Sequence, residues 1–321
     1  MKRNNKHTHR ASSAQQGSLL CTAIALLLML MSMVSSCSTT SALPDGEQLY
    51  TGMTSTEYTN YKKSTHFNNV QEELDVVLAT KPNGSLFGSP SFKSPFPVGL
   101  WIWNAFSPDT SKFSKWITKT FGSRPITLST VSPELHATVG KSLLNKRGYF
   151  NGKITHELVP QSNKKKIKLK YTVNMGHLWT IDSVKYVNFP PEADSLIEAA
   201  RSNAIVKSGV PFDVATLEQE RQRITSLFRN NGYFYYKNND ASYLADTTIV
   251  RGKVMTRLQL ADSVGDAALR RWRIGKITVN LQKNFLEDLE NTREERGFTL
   301  NFNHSKPPLR ARVIANDMQF R

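Results

Sequence analysis

The segment Leu143-Leu144-Asn145-Lys146-Arg147-Gly148-Tyr149-Phe150 returns 84 positions later as Leu227-Phe228-Arg229-Asn230-Asn231-Gly232-Tyr233-Phe234. A second landmark repeats in the same order: Trp179-Thr-Ile181-Asp-Ser-Val184-Lys-Tyr186 recurs as Trp272-Arg-Ile274-Gly-Lys-Ile277-Thr-Val279, at an offset of 93. Such self-similarity constrains the fold more than composition does, because each copy must form the same supersecondary unit. The nine-residue difference between the offsets falls between Gly232 and Trp272.

The later copy reads as a complete module over residues 177–264. Trp179 to Asn188 is apolar and β-branched, as a strand requires. Pro190 and Pro191 precede a helical pattern from Ala193 to Ile205, which Gly209-Val210-Pro211 breaks. Asp213 is placed to cap a second helix whose Leu217, Ile224, Leu227 and Phe228 share one side. Gly232 stops that helix, since glycine enters the left-handed region at little cost. Strands follow over about 233–245 and 252–261. The order is β-α-α-β-β.

The first module, 37–176, shows the same second half. Ser132 and Pro133 open a helix with Leu135, Val139, Leu143 and Leu144 as its expected apolar stripe, and Gly148 ends it. Lys153–Val159 and Ile167–Met175 form a hairpin across Asn163-Lys164-Lys165, with Ile167, Leu169, Tyr171 and Val173 on one face. Glu47–Met53 and Asn69–Ala79 are placed to supply the first strand and helix. Between them and the second half lies an insertion, about 84–124, dense in aromatics. That density suits a membrane-interface or partner surface, or a satellite core beneath a long loop. A third module begins near 270 and looks incomplete by Arg321, with a strand at Trp272 and a helix-like stretch from Phe285 to Arg296.

Residues 1–36 have the form of an export signal. Lys2, Arg3, Lys6 and Arg10 precede an apolar run from Leu19 to Val34, followed by Ser35 and Ser36. The run is shorter than the roughly 20 residues of a spanning helix, although an uncleaved anchor is the alternative. Val34-Ser35-Ser36-Cys37 resembles a bacterial lipobox, in which the cysteine is acylated and becomes the mature N-terminus. Cleavage would remove Cys21 and four positive charges, lowering the net charge from +16 to +12. The mature chain is then still basic and without a disulfide framework. Nucleic acid is not an expected partner of a secreted chain.

A tandem β-α-α-β-β module with Gly-Tyr-Phe after its second helix resembles the POTRA domain of outer-membrane assembly factors. The run Gly209-Val-Pro-Phe212-Asp213, Leu217, Glu220-Arg221, Arg223-Ile224, Leu227 and Arg229-Asn230-Asn231-Gly232-Tyr233-Phe234, with Lys81-Pro82-Asn83 and the lipobox, is similar to the lipid-anchored TamA-like proteins of Bacteroidetes, within the BamA/TamA superfamily. The resemblance implies an α+β fold of POTRA-like modules behind a signal peptide, held at the periplasmic face of the outer membrane by lipid on Cys37. It implies unfolded outer-membrane proteins or assembly-machinery subunits as partners. That family continues into a C-terminal β-barrel, which needs many strands of about 9–11 residues. Nothing after Trp272 supplies them, so insertion of clients is not carried over, only binding. A membrane-anchored POTRA scaffold of the envelope is the alternative.

The expected binding element is the segment Tyr235 to Ala245, too polar for a strand buried on both faces. Tyr235, Lys237, Asn239, Ala241, Ser242 and Tyr243 are its candidate edge residues, with the charged and amide side chains guarding against promiscuous pairing. The other reading is an edge covered by neighbouring chain.

Catalytic patterns fail on inspection. Gly140-Lys141-Ser142 lacks the earlier glycine of a phosphate loop, where Leu135 stands. His156-Glu157 lacks a second histidine, that position being Pro160. His66, His177 and His304 have no partners at metal spacing. Ser162-Asn-Lys-Lys165 lies in a turn. Glu287, Asp288, Glu290, Glu294 and Glu295 read as a solvated helix face, and Glu220 with Arg221 as an ion pair on the helix surface or between modules. No enzyme, cofactor or metal is expected.

Overall fold

The computed structural model describes residues 39–282, 284, 288–295, 297–303, 307 and 309–317. The expected signal segment, Cys37 and His304 lie outside them. The fold is α+β, with small sheets each flanked by helices. In chain order the elements are β1 (Leu49–Met53), β2 (Glu57–Thr59), α1 (Thr65–Leu78), α2 (Val98–Phe106), α3 (Lys112–Phe121), α4 (Leu128–Val131), α5 (Pro133–Lys146), β3 (Lys153–Pro160) and β4 (Lys166–Asn174). There follow β5 (Thr180–Val187), α6 (Pro191–Ala199), α7 (Val214–Asn230), β6 (Ala241–Asp246), β7 (Lys253–Leu260), α8 (Asp266–Leu269), β8 (Ile277–Leu281), β9 (Asn291–Glu295), β10 (Phe298–Phe302) and α9 (Ala311–Asp317). Contacts divide the chain into one unit of residues up to 182 with 208–215 and 247–255, and a second of 183–207, 216–246 and 256 onward.

In the first sheet β4 is the central strand. It pairs antiparallel with β3, and its other side is shared by β1 and β2, both parallel to it. The alternation of β4 decides its faces: Ile167, Leu169, Tyr171 and Val173 are buried, while Lys166, Lys168, Lys170 and Thr172 point the other way. The inner face meets Phe67, Val70, Leu74 and Leu78 of α1, a stripe at helical spacing, and Leu144 of α5. Helix α1 starts at Thr65, a turn before the expected Asn69, because the Ser64 hydroxyl accepts from the Phe67 amide at 3.1 Å.

Helix α5 departs from expectation on one point: Leu135 and Val139 are exposed and do not belong to the core stripe. The inward face is formed by Pro133, Gly140 and Leu144 instead. Gly140 lets β3 come close, since a Cβ there would sit 2.6 Å from Ile154 Cδ1.

The second sheet has the order β5-β7-β6, again with the last strand of the module in the centre. Asp213 does cap α7, its Oδ1 accepting from the Ala215 amide at 2.7 Å. Leu217, Ile224 and Phe228 are buried, whereas Leu227 is half-buried. The expected strand from 233 begins only at Ala241. Tyr236 turns back into the core with Phe228, and the Asp240 carboxylate accepts from the Lys237 amide at 2.8 Å, closing a 3-10 turn over 238–240.

The third sheet has the order β8-β10-β9, with β10 parallel to β8 and antiparallel to β9. This corrects the expectation of a helix-like stretch over 285–296: residues 291–295 are a strand, and Asp288, Glu290, Glu294 and Glu295 are not on a helix. Residues 285–287 and 296 lie outside the described ones. Thr292, Asn301 and Asn280 join the three strands side chain to side chain, at 3.0 Å and 2.9 Å. Phe298, Leu300 and Phe302 form the core of this sheet. The strand expected from Trp272 starts at Ile277.

Candidate partner-binding edge

The repeated landmarks meet in space, and this explains why they repeat together. After α5 the Tyr149 amide donates to the Leu144 carbonyl at 2.9 Å, and after α7 the Tyr233 amide donates to the Phe228 carbonyl at 3.0 Å. Both closures run from the residue after a left-handed glycine, Gly148 at φ +84° and Gly232 at φ +95°. The carbonyl of each glycine then accepts from the next landmark: Trp179 N to Gly148 O at 2.9 Å, and Trp272 N to Gly232 O at 2.7 Å.

Charge reinforces the first of these junctions. Arg147 donates to both carboxylate oxygens of Asp213, at 2.9 and 2.7 Å, and to both of Glu73. His66 Nε2 contacts the Arg147 carbonyl at 2.9 Å. Burial alone would depress the guanidinium, but the bonds and charges of Asp213 and Glu73 outweigh it and raise its pKa further.

The second unit holds a polar network that sequence reasoning misplaced. Glu220 does not pair with Arg221 and is not on the surface: its side chain is wholly buried. It accepts from Arg223 at 2.7 and 2.9 Å, from the Ile205 amide at 2.8 Å and from the Tyr186 hydroxyl at 3.1 Å. Burial pushes this carboxyl up, yet those bonds prevail and hold it below the ordinary carboxylate value. Burial, then the nearby Glu220 charge, pushes the Tyr186 phenol up to about 12. Arg221 pairs instead with Glu218.

Beside this network lies β6, a true edge in the order β5-β7-β6. Its register follows from one bond: the Ala261 amide donates to the Asp240 carbonyl at 2.9 Å, so the polar groups of residue 240 face β7. Strand alternation then turns the backbone groups of Ala241, Tyr243 and Ala245 outward and those of Ser242 and Leu244 toward the sheet. Arg221 Nη1 donates to the outward Ala241 carbonyl at 3.3 Å, closing the first outward position. Tyr243 turns its ring inward, where burial raises its phenol strongly and leaves its hydroxyl without a partner. Ser242 and Leu244 are exposed.

Three of the six expected edge residues are elsewhere. Asn239 lies in the 3-10 turn, Lys237 precedes it, and Tyr235 packs its ring 5.1 Å from that of Trp272. The charged guard therefore stands before the strand rather than along it. The corresponding edge of the first sheet is β3, whose sequence mixes charged and apolar residues and which was not among the expected edge residues.

No protein-family model and no curated protein matches the chain. Among solved structures it is similar to a crystal structure of Haemophilus influenzae BamA POTRA3-5, at 11% identity over 81% of this chain and 98% of that one, with a TM-score of 0.33. It is similar to POTRA1-3 of the periplasmic domain of Omp85 from Anabaena, at 11% identity over 87% and 79%, with a TM-score of 0.30. POTRA1-2 of the same Anabaena protein gives 12% identity over 69% and 99%, with a TM-score of 0.29. The fold is given by the element and strand orders above.

Among the described residues no group of three His, Cys, Asp or Glu could hold a metal, and no helix is long and apolar enough to cross a membrane. One depression of about 320 Å³, open to solvent, is lined by Gln48, Leu128, Glu134 and His156 among others.

Proposed function

We propose that this chain is a periplasm-facing, POTRA-like lipoprotein of the outer membrane, anchored through Cys37, and that β6 binds extended segments of unfolded outer-membrane proteins or assembly partners by strand addition. The observation that carries the reading is β6 itself: an edge strand whose outward backbone groups at Tyr243 and Ala245 lie beyond the one that Arg221 closes. Main-chain hydrogen bonding tolerates many client sequences, as a carrier of unfolded chains requires. The signal segment ending in Val-Ser-Ser-Cys and the tandem β-α-α-β-β modules support the same reading.

The test is a proline scan along β6 with fluorescent peptides taken from outer-membrane strands. Ala245→Pro removes an outward amide at an exposed position, so peptide binding should fall while the melting temperature holds. Ser242→Pro removes a sheetward amide and should lower stability. Equal peptide affinity in the wild type and a folded Ala245→Pro variant would discard β6 as the binding edge.

A further inference from the structure

Helix α3 is built inside out. Its buried residues are Ser114 and Thr118, at 2% and 9% exposure, while Phe113, Trp116 and Phe121 are 60%, 57% and 56% exposed. The hydroxyls explain how this is tolerated: Thr118 Oγ1 donates to the Ser114 carbonyl at 2.6 Å, and Ser114 Oγ to Asp109 at 2.6 Å, so no polar group is stranded. The outward rings run on into the half-buried Phe106, with Phe106–Phe113, Phe113–Trp116 and Trp116–Phe121 centroids 6.3, 6.2 and 6.0 Å apart. At 3.6 residues per turn, Lys112, Lys115 and Lys119 form a stripe of their own beside that aromatic face. Residues 81–124 carry six Lys or Arg and a single acid, Asp109.

An aromatic face flanked by lysines fits the boundary between acyl chains and anionic headgroups: rings enter the boundary and ammonium groups reach phosphates. The chain's own course points the same way. The Ala42 amide donates to Asn104 Oδ1 of α2 at 2.8 Å, and Thr40 is buried at 6% exposure. Five residues span at most about 18 Å, and Cys37 stands five positions before Ala42 in the sequence.

We propose that the α2–α3 hairpin is a membrane-interface element, which lays Phe106, Phe113, Trp116 and Phe121 into an anionic phospholipid leaflet next to the tether. This deepens the anchoring proposed above and rests on it for the tether and for the choice of leaflet. A lipid chain supplies one attachment point, and the hairpin supplies a second that fixes orientation.

The test uses residues 38–321, which retain every described residue and lack both the apolar run and Cys37. The protein is floated with vesicles of phosphatidylcholine alone or of phosphatidylethanolamine with phosphatidylglycerol. The wild type should float with the anionic vesicles and much less with phosphatidylcholine. Phe113→Ser with Trp116→Ser should weaken binding by at least about tenfold, and Trp116→Phe should retain it. Replacing the three lysines by glutamine should remove the anionic preference, each contributing about fivefold. These positions are exposed, and unchanged circular dichroism should confirm folding. Wild type that floats with neither vesicle, or a serine variant that floats as well, overturns the proposal. So does a concentration-dependent dimer that Trp116→Ser dissolves, which would give the face to a second copy. Acylation is read separately, by fatty-acid labelling of the full chain in cells, and its failure leaves the flotation result standing.

Discussion

Gly148→Ala and Gly209→Ala separate two costs that usually arrive together. The two glycines lie in the same unit with nearly equal φ, +84° and +85°. An L side chain in that region costs about 1–2 kcal/mol at either position. They differ in surroundings. A Cβ at Gly209 meets nothing within 4 Å, while one at Gly148 would lie 2.6 Å from the Phe212 carbonyl oxygen and 3.2 Å from that of Trp179. Neither carbonyl can yield freely: Phe212 N donates to Trp179 O at 2.9 Å, and the next residue, Asp213, is held by Arg147. Forcing one carbon into such a site costs about 1–3 kcal/mol more. Gly148→Ala should therefore lose about 2–5 kcal/mol and Gly209→Ala only about 1–2. Urea denaturation followed by circular dichroism, compared through midpoints at a common slope, measures the gap. Losses that agree within about 0.5 kcal/mol would refute the close approach at Gly148 and leave only the dihedral cost.

Leu144 is fully buried, so Leu144→Ala should cost about 2–5 kcal/mol in the same assay, and Leu135→Ala, on the exposed side of α5, under about 0.5 kcal/mol. Glu220 carries a carboxyl held below its unfolded value, so its stabilisation is present above the unfolded pKa and is lost as pH falls through the folded one. Melting temperature should therefore drop below about pH 4.5, and Glu220→Gln should flatten that drop while lowering stability at neutral pH. Labelled fatty acid should enter the full chain in cells and not its Cys37→Ser variant; equal labelling would remove the lipobox from the argument.

What was legible in the sequence was local. The alternation of β4 and the glycines after α5 and α7 each depend on a few consecutive residues, and each was placed correctly. What was missed depends on partners far along the chain. Glu220 looks like a surface charge until Tyr186 and Ile205, 34 and 15 positions away, close around it. Leu135 and Val139 fit a helical stripe, but the approach of Ile154 to Gly140 decides which side of α5 faces inward. The strand at 291–295 is charged enough to read as a helix, and only its pairing with β10 makes it a strand. The edge β6 was visible in its polarity. Its starting point was not, because Tyr236 is drawn into a core assembled from α6 and α7.

The bond between a helix-ending glycine and the tryptophan of the next landmark has a consequence for how such a chain can change. The loop from Gly148 to Trp179 and the loop from Gly232 to Trp272 differ by nine residues, yet each closes on the same hydrogen bond. A hairpin between those anchors can lengthen or shorten without moving the point at which the next module begins. Insertions in the turn of that hairpin leave the anchor in place, whereas a single residue added between either glycine and its helix would displace the anchor itself.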